Sequence, residues 1–164
     1  MWDWLRERLV MRERGLTRCI IVERTKRAEA IDVRKFFRFM PELTTIVKEC
    51  TIIDACKSNP YLLLEWVKTN ISYVPETADF WSYPLETLAR MNGDCEDGAI
   101  LLANLLLQAG YPYYKILIAV YGGHVVVEFD GKIFDWTGAG VPSNVPLWYC
   151  WNARNAYTTK ENVN

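Results

Sequence analysis

The sequence predicts an α+β domain in which helices come first and an antiparallel sheet follows. Three observations carry this. Residues 28–39, 41–57 and 58–75 show apolar residues at helical spacing. The segment from about Cys95 to Ala109 is apolar nearly all round, as a helix buried inside a domain must be. After it come "YKILIAVYG", "HVVVEF" and "KIFDWT", which are rich in β-branched and aromatic residues, and Asp130-Gly131 separates the last two as a two-residue hairpin signal. Runs of helices followed by runs of strands define the α+β class.

The elements can be taken in order. Residues 2–14 read as a short amphipathic helix stopped by Gly15, and "TRCIIVE" fits a strand or a buried turn of helix. Pro41 sits at a first-turn position of the helix over 41–57. In "SNPYLLLEWVKTNISYVP", Ser58 or Asn59 can cap the helix, Pro60 suits its first turn, and Leu63, Trp66 and Val67 line one side. "ETADFWSYPLETLARMNG" reads as a loop and then a short helix near 84–90. Asp94 stands at the N-cap of the central helix, with Asp97 three residues on in an acidic relative of the capping box. Gly110 and Pro112 end it. The expected organisation is a single domain: an N-terminal helical segment over 1–57 packed on a core over 58–151, and a frayed or loosely packed tail over 152–164.

Bulk properties narrow the function. The 164 residues suffice for one domain with a real core, and half of them are hydrophobic. The net charge of −1 argues against a nucleic-acid or membrane-surface binder. The early arginines and lysines alternate with glutamates, as on a solvated helical face. There is no secretory signal and no apolar run approaching the ~18 residues of a membrane span, so a cytoplasmic setting is expected. Five cysteines without a CxxC pair argue against a disulfide framework or a zinc site.

One cysteine is out of place for a core residue. Cys95 lies at the polar entrance to the apolar helix, among Asp94, Glu96 and Asp97. A thiol at a helix N-terminus feels the positive end of the dipole, which favours thiolate. The chain's single histidine, His124, opens the first hairpin strand. If Asp130 and Gly131 form the turn, Phe129 faces Lys132, Glu128 faces Ile133 and Val127 faces Phe134. Val125, Val127, Phe129, Phe134 and Trp136 then share an apolar face. Asp135 becomes a diagonal neighbour of His124, about 7 Å away along the backbone and within side-chain reach. Cys95, His124 and Asp135 thus read as nucleophile, general base and acid, and orienting carboxylate. Backbone N–H groups at the helix start can bind an oxyanion. Trp81 and Tyr83 are further candidate donors, though core or cleft wall is the simpler reading for both. The three acids oppose thiolate formation. They either cap the helix and face solvent, which is the simpler reading, or contribute ligands to calcium.

"GDCEDGAILLANLLLQAGYP" and "GHVVVEFDGKIFDWT", with "DFWSYPLETLARMNG" upstream, resemble the transglutaminase-like superfamily, and most of all its bacterial cysteine proteinases. The resemblance spans about residues 59–137. It implies a papain-like core, a cysteine-bearing helix packed on an antiparallel sheet that carries histidine and aspartate. It assigns Cys95, His124 and Asp135 the three roles above. Some members bind calcium through acids of this motif, and Asp94, Glu96 and Asp97 match those positions; no cofactor is otherwise required. The expected activity is a thiol peptidase or amidase working through an acyl-thioester on a protein or peptide substrate. The alternatives are transglutaminase-type transfer to an amine, or a non-enzymatic binding module that retains the fold.

Overall fold

The computed structural model describes residues 16–19, 56–77 and 81–159. The helices expected over 2–14, 28–39 and 41–57 lie outside these residues, save Cys56 and Lys57.

Helix α1 spans Tyr61–Asn70. Asn59 Oδ1 accepts the Tyr61 N–H at 3.1 Å, so the expected cap forms one residue ahead of Pro60. Leu63, Leu64 and Val67 are buried, with Trp66 packed partly against the same cluster. A two-residue strand, β2 (Ser72–Tyr73), follows a strand β1 at Leu16–Cys19. Helix α2 runs Pro84–Arg90, and the Glu86 carboxylate accepts the Tyr83 N–H at 2.7 Å in a capping box. Met91, in the left-handed region at φ 55°, stops it. Strand β3 (Asn92–Gly93) pairs parallel with β2 and leads directly into α3, Cys95–Gln108.

Helix α3 is the centre of the domain. Every residue from Glu96 to Leu106 is buried. Its end is a Schellman motif: the Tyr111 N–H bonds the Leu106 carbonyl at 3.1 Å and the Gly110 N–H bonds Leu107 at 3.0 Å, with Gly110 at φ 90°. A 3₁₀ turn (Tyr113–Lys115) enters β4 (Ile116–Tyr121), followed by β5 (His124–Phe129), β6 (Lys132–Phe134), β7 (Leu147–Trp151) and β8 (Ala156–Thr159). The six-stranded sheet has the order β1-β8-β7-β4-β5-β6, with every pairing antiparallel.

The hairpin register is the one parity predicts. Phe129 pairs with Lys132, Glu128 with Ile133 and Val127 with Phe134. Asp130 and Gly131 both take positive φ (51° and 79°), which is a type I′ turn. Val125, Val127, Phe129, Phe134 and Trp136 all enter the core with α3, while Val126 joins Leu117, Ala119, Cys150 and Tyr157 on the opposite face.

Two expectations need correction. The chain beyond Asn152 is not a frayed tail throughout, because Ala156–Thr159 forms β8 between β7 and β1. A seven-residue window of mixed polarity hides a four-residue strand whose pairing is long-range. The last strand of the hairpin is also shorter than "KIFDWT" and ends at Phe134. Asp135 leaves the ladder because its carboxylate accepts the Thr137 N–H at 2.9 Å and the Gly140 N–H at 2.7 Å, which bends the chain back over it. Among the described residues, no helix is long and apolar enough to cross a membrane.

Leu101 is wholly buried at the middle of α3. Leu101→Ala is expected to cost about 2–5 kcal/mol by lost burial and a residual cavity, measured by urea denaturation. A change below ~1 kcal/mol would show that α3 is not the packing centre.

Candidate active site

The site is built where the start of α3 meets the start of β5 and the end of β6. Trp136 fastens these parts together. Its indole N–H donates to the Cys95 carbonyl at 3.0 Å. The indole also lies so close over Gly98 that any Cβ there would overlap its ring. Gly98 is therefore a packing requirement, and α3 carries a glycine despite the ~1 kcal/mol that glycine costs in a helix. The sequence signal was present: one glycine one turn after Cys95 in an otherwise large and apolar helix.

His124 and Asp135 meet as the hairpin parity predicts. His124 Nε2 lies 2.9 Å from Asp135 Oδ2. The Asp135 side chain is nearly buried and the imidazole three-quarters buried. Burial raises the Asp135 carboxyl pKa, but hydrogen bonds from His124, Thr137 and Gly140 outweigh it and hold the group below its ordinary value. The carboxylate is thus fixed as an anion against Nε2. That leaves Nδ1 as the ring nitrogen for proton exchange.

Cys95 stands at the first position of α3, against the N–H of Val125, the residue after His124. Its thiol donates to Glu96 Oε2 at 3.2 Å. Burial pushes the Cys95 thiol up to about 12; the Val125 N–H opposes this, while the Glu96 hydrogen bond and the charges of Glu96 and Asp94 add to it. In this state the sulfur is a protonated donor.

The acids themselves are not the solvated cap expected for them. Glu96 and Asp97 are buried, at 3% and 0% exposure. Asp97 turns inward rather than capping its own helix. It accepts the Ser82 N–H at 2.7 Å, the Ser82 hydroxyl at 3.1 Å and Arg90 at 3.2 Å, tying the loop before α2 and the end of α2 to α3. Gly93 makes room for it, since a Cβ there would stand 2.6 Å from Asp97 Oδ2. Burial nonetheless raises the Asp97 pKa to about 6. Asp94 occupies the N-cap position but makes no side-chain cap bond. Glu96 is pushed up to about 9, by burial first and then by its contact with Asp94. Asp94 Oδ1 and Glu96 Oε1 are buried without a hydrogen-bond partner. The three carboxylates do not converge, and among the described residues no three His, Cys, Asp or Glu side chains form a metal-binding group.

Trp81 belongs to the core, 8% exposed with its ring tilted at 39° against Trp151, centroids 5.7 Å apart, and Tyr83 packs partly against the same cluster while capping α2. Ser82 and Arg90 were not foreseen. Neither a serine nor an arginine in that loop-helix segment announces a buried carboxylate, fifteen residues after the one and seven after the other.

A helix with cysteine at its N-terminus, packed on an antiparallel sheet whose hairpin joins histidine to aspartate, is the arrangement that the sequence resemblance implies. Residues 42–160 match the family described as "Transglutaminase-like domain", and the chain belongs to it. Among solved structures it is similar to Legionella pneumophila LapG, with 21% identity over 79% of this chain and 89% of that one and a TM-score of 0.58. It is likewise similar to calcium-bound LapG (23% identity, 79% and 89% covered, TM-score 0.56) and to EGTA-treated LapG (22%, 82% and 89%, TM-score 0.56). No curated protein sequence matches it.

Glu96 makes stability pH-dependent. Its native pKa lies above the ordinary 4.5, so through neutral pH the unfolded chain releases a proton that the native state retains. Stability therefore falls as pH rises, until the native group ionises near 9. Asp97 is half-titrated at about pH 6 and mostly ionised about one unit higher, which leaves the interval from about 7 to 9 to Glu96. Urea unfolding across that interval should show declining stability in the wild type and a flatter profile in Glu96→Gln. Equal slopes would place an ionised Glu96 in the native state.

Proposed function

We propose that this protein is a cysteine peptidase or amidase that uses Cys95, His124 and Asp135. The observation that carries the reading is the 2.9 Å His124–Asp135 contact, made through Nε2 on the strand whose next residue touches Cys95. The thiol proton of Cys95 passes to His124 Nδ1, and the sulfur attacks the substrate carbonyl carbon. Amide N–H groups at the α3 N-terminus would receive the oxygen as charge develops on it. His124 then donates the proton to the leaving nitrogen, the C–N bond breaks and an acyl-thioester remains. Water, deprotonated by His124, attacks that thioester; the C–S bond breaks, the acid leaves and the proton returns to sulfur. Asp135 keeps the ring in orientation and stabilises the imidazolium.

The resting thiol is a weak nucleophile, and the acids that make it so also fit a cation. Asp94 Oδ1 and Glu96 Oε1 are buried with no donor from a third residue, and the proton Glu96 retains beside Asp94 is what an oxygen-seeking ion would replace, whereas Asp97 is committed to Ser82 and Arg90. Asp94 and Glu96 would therefore hold calcium, and Asp97 would support the loop behind them. Calcium held by Asp94 and Glu96 would supply positive charge to this helix start and would keep Glu96 ionised as a ligand. The calcium-bound and EGTA-treated forms of LapG support asking this of the present chain.

Release of fluorescent peptides from labelled casein tests the function. Wild type should cleave, Cys95→Ala should not, and Asp135→Asn should remain folded with activity lowered by up to about 10⁴-fold through wrong ring orientation. Amine incorporation into casein without cleavage would make the reaction an acyl transfer, and neither product would leave a binding module. The ion is tested separately by iodoacetamide alkylation of Cys95 at pH 7, read by mass spectrometry. Calcium should raise the rate about tenfold for each unit by which the thiol pKa falls, and Glu96→Gln should blunt the response. A rate indifferent to calcium and to EGTA removes the ion from the reading.

A further inference from the structure

We propose that Tyr73 is a specificity-determining residue, an aromatic wall on the cysteine side of the site that selects an apolar, preferably aromatic, side chain of the substrate next to the bond cleaved. The proposal deepens the peptidase reading and rests on it for its meaning.

The placement comes from the backbone. Tyr73 ends β2 and pairs with Gly93, two residues before Cys95, and the Val74 N–H continues the ladder to the Gly93 carbonyl at 2.9 Å. Its ring packs on Trp136 with centroids 5.8 Å apart. Trp136 is the residue whose indole N–H holds the Cys95 carbonyl. Tyr73 is thus one ring away from the cysteine backbone. After partial burial, the charges of Cys95, Asp94 and Glu96 are what raise its hydroxyl pKa, which places the phenol within their field.

Its exposure does not follow from packing. Trp136 is 4% exposed, yet Tyr73 against it is 53% exposed, and Val74 follows at 46%. A ring anchored on one side and open on the other offers a flat apolar surface at low entropic cost, because its rotamer is already held. The other exposed aromatic near the site, Trp148 at 42%, stands by Gly123 on the histidine side. Of the two, Tyr73 is the ring packed on Trp136, whose indole N–H holds the Cys95 carbonyl.

The test compares two alkylating probes at one pH, so that the thiolate fraction cancels: iodoacetamide and N-benzyl-iodoacetamide, with adducts at Cys95 quantified by mass spectrometry and the buried Cys56 and Cys150 as controls. The benzyl-to-plain rate ratio should fall about two- to tenfold in Tyr73→Ala, the range one aromatic pair supplies. Tyr73→Phe should keep the wild-type ratio and Trp148→Ala should leave it unchanged. An unchanged ratio in Tyr73→Ala overturns the proposal, as does an equal fall in both rates, which marks a structural role only, or a loss that follows Trp148 instead. The peptidase reading fails separately: no casein cleavage with a Tyr73-dependent ratio leaves the wall standing on a site of different chemistry, whereas cleavage with an indifferent ratio removes the wall alone.

Discussion

The contact between the Trp136 indole and Gly98 is the constraint on which the site depends. It joins two parts of the chain that have no local reason to meet, a helix start that carries the thiol and a hairpin end that carries the imidazole and its carboxylate. Because the ring overlies a residue with no side chain, the helix and the strand approach more closely than two ordinary side chains permit. The indole N–H then satisfies a carbonyl in the first turn. Packing density and polar satisfaction are met by one residue, so the relative position of Cys95 and Asp135 is set by contacts that leave little slack.

The second organising fact is electrostatic. Three carboxylates in four residues enter a poorly solvated helix start, and each finds a different solution. Asp97 takes three donors from Ser82 and Arg90, Glu96 retains its proton, and Asp94 stays half-buried beside it. The thiol inherits the result. Its burial and the adjacent anionic character exceed what one turn of helix dipole offers, since a dipole end is worth roughly 0.3–1 kcal/mol at an exposed site. A cysteine in this setting keeps its proton at neutral pH.

Much of this was legible from residue order. The α2 and α3 boundaries, the type I′ turn and the register that brings Asp135 to His124 all follow from short-range rules: proline and glycine punctuation, helical period, strand parity. The misses share a different cause. Strand β8 owes its existence to partners on both sides, β7 and β1, and four residues of mixed polarity carry no signal of that. The burial of Glu96 and Asp97 was misread because charged residues at a helix start ordinarily face water, and tertiary contacts from Ser82, Arg90 and Gly93 decide otherwise. Trp136 looked like one more core aromatic. Its role depends on the absence of a side chain at Gly98, and so on two positions read together.

The sheet order has a consequence for how the chain comes to be assembled. The strands that carry the site, β4 to β6, are neighbours in sequence and form a meander that closes through short turns. At the other edge β1 pairs with β8, so Leu16 meets Thr159 across nearly the whole chain. Closing a loop of that length carries a large entropic penalty before any contact repays it. On a ribosome, the meander and α3 are complete while β8 is still being made, and β1 must wait. The half that holds Cys95, His124 and Asp135 is therefore built from contacts near in sequence, whereas the far edge of the sheet depends on a pairing between distant parts of the chain.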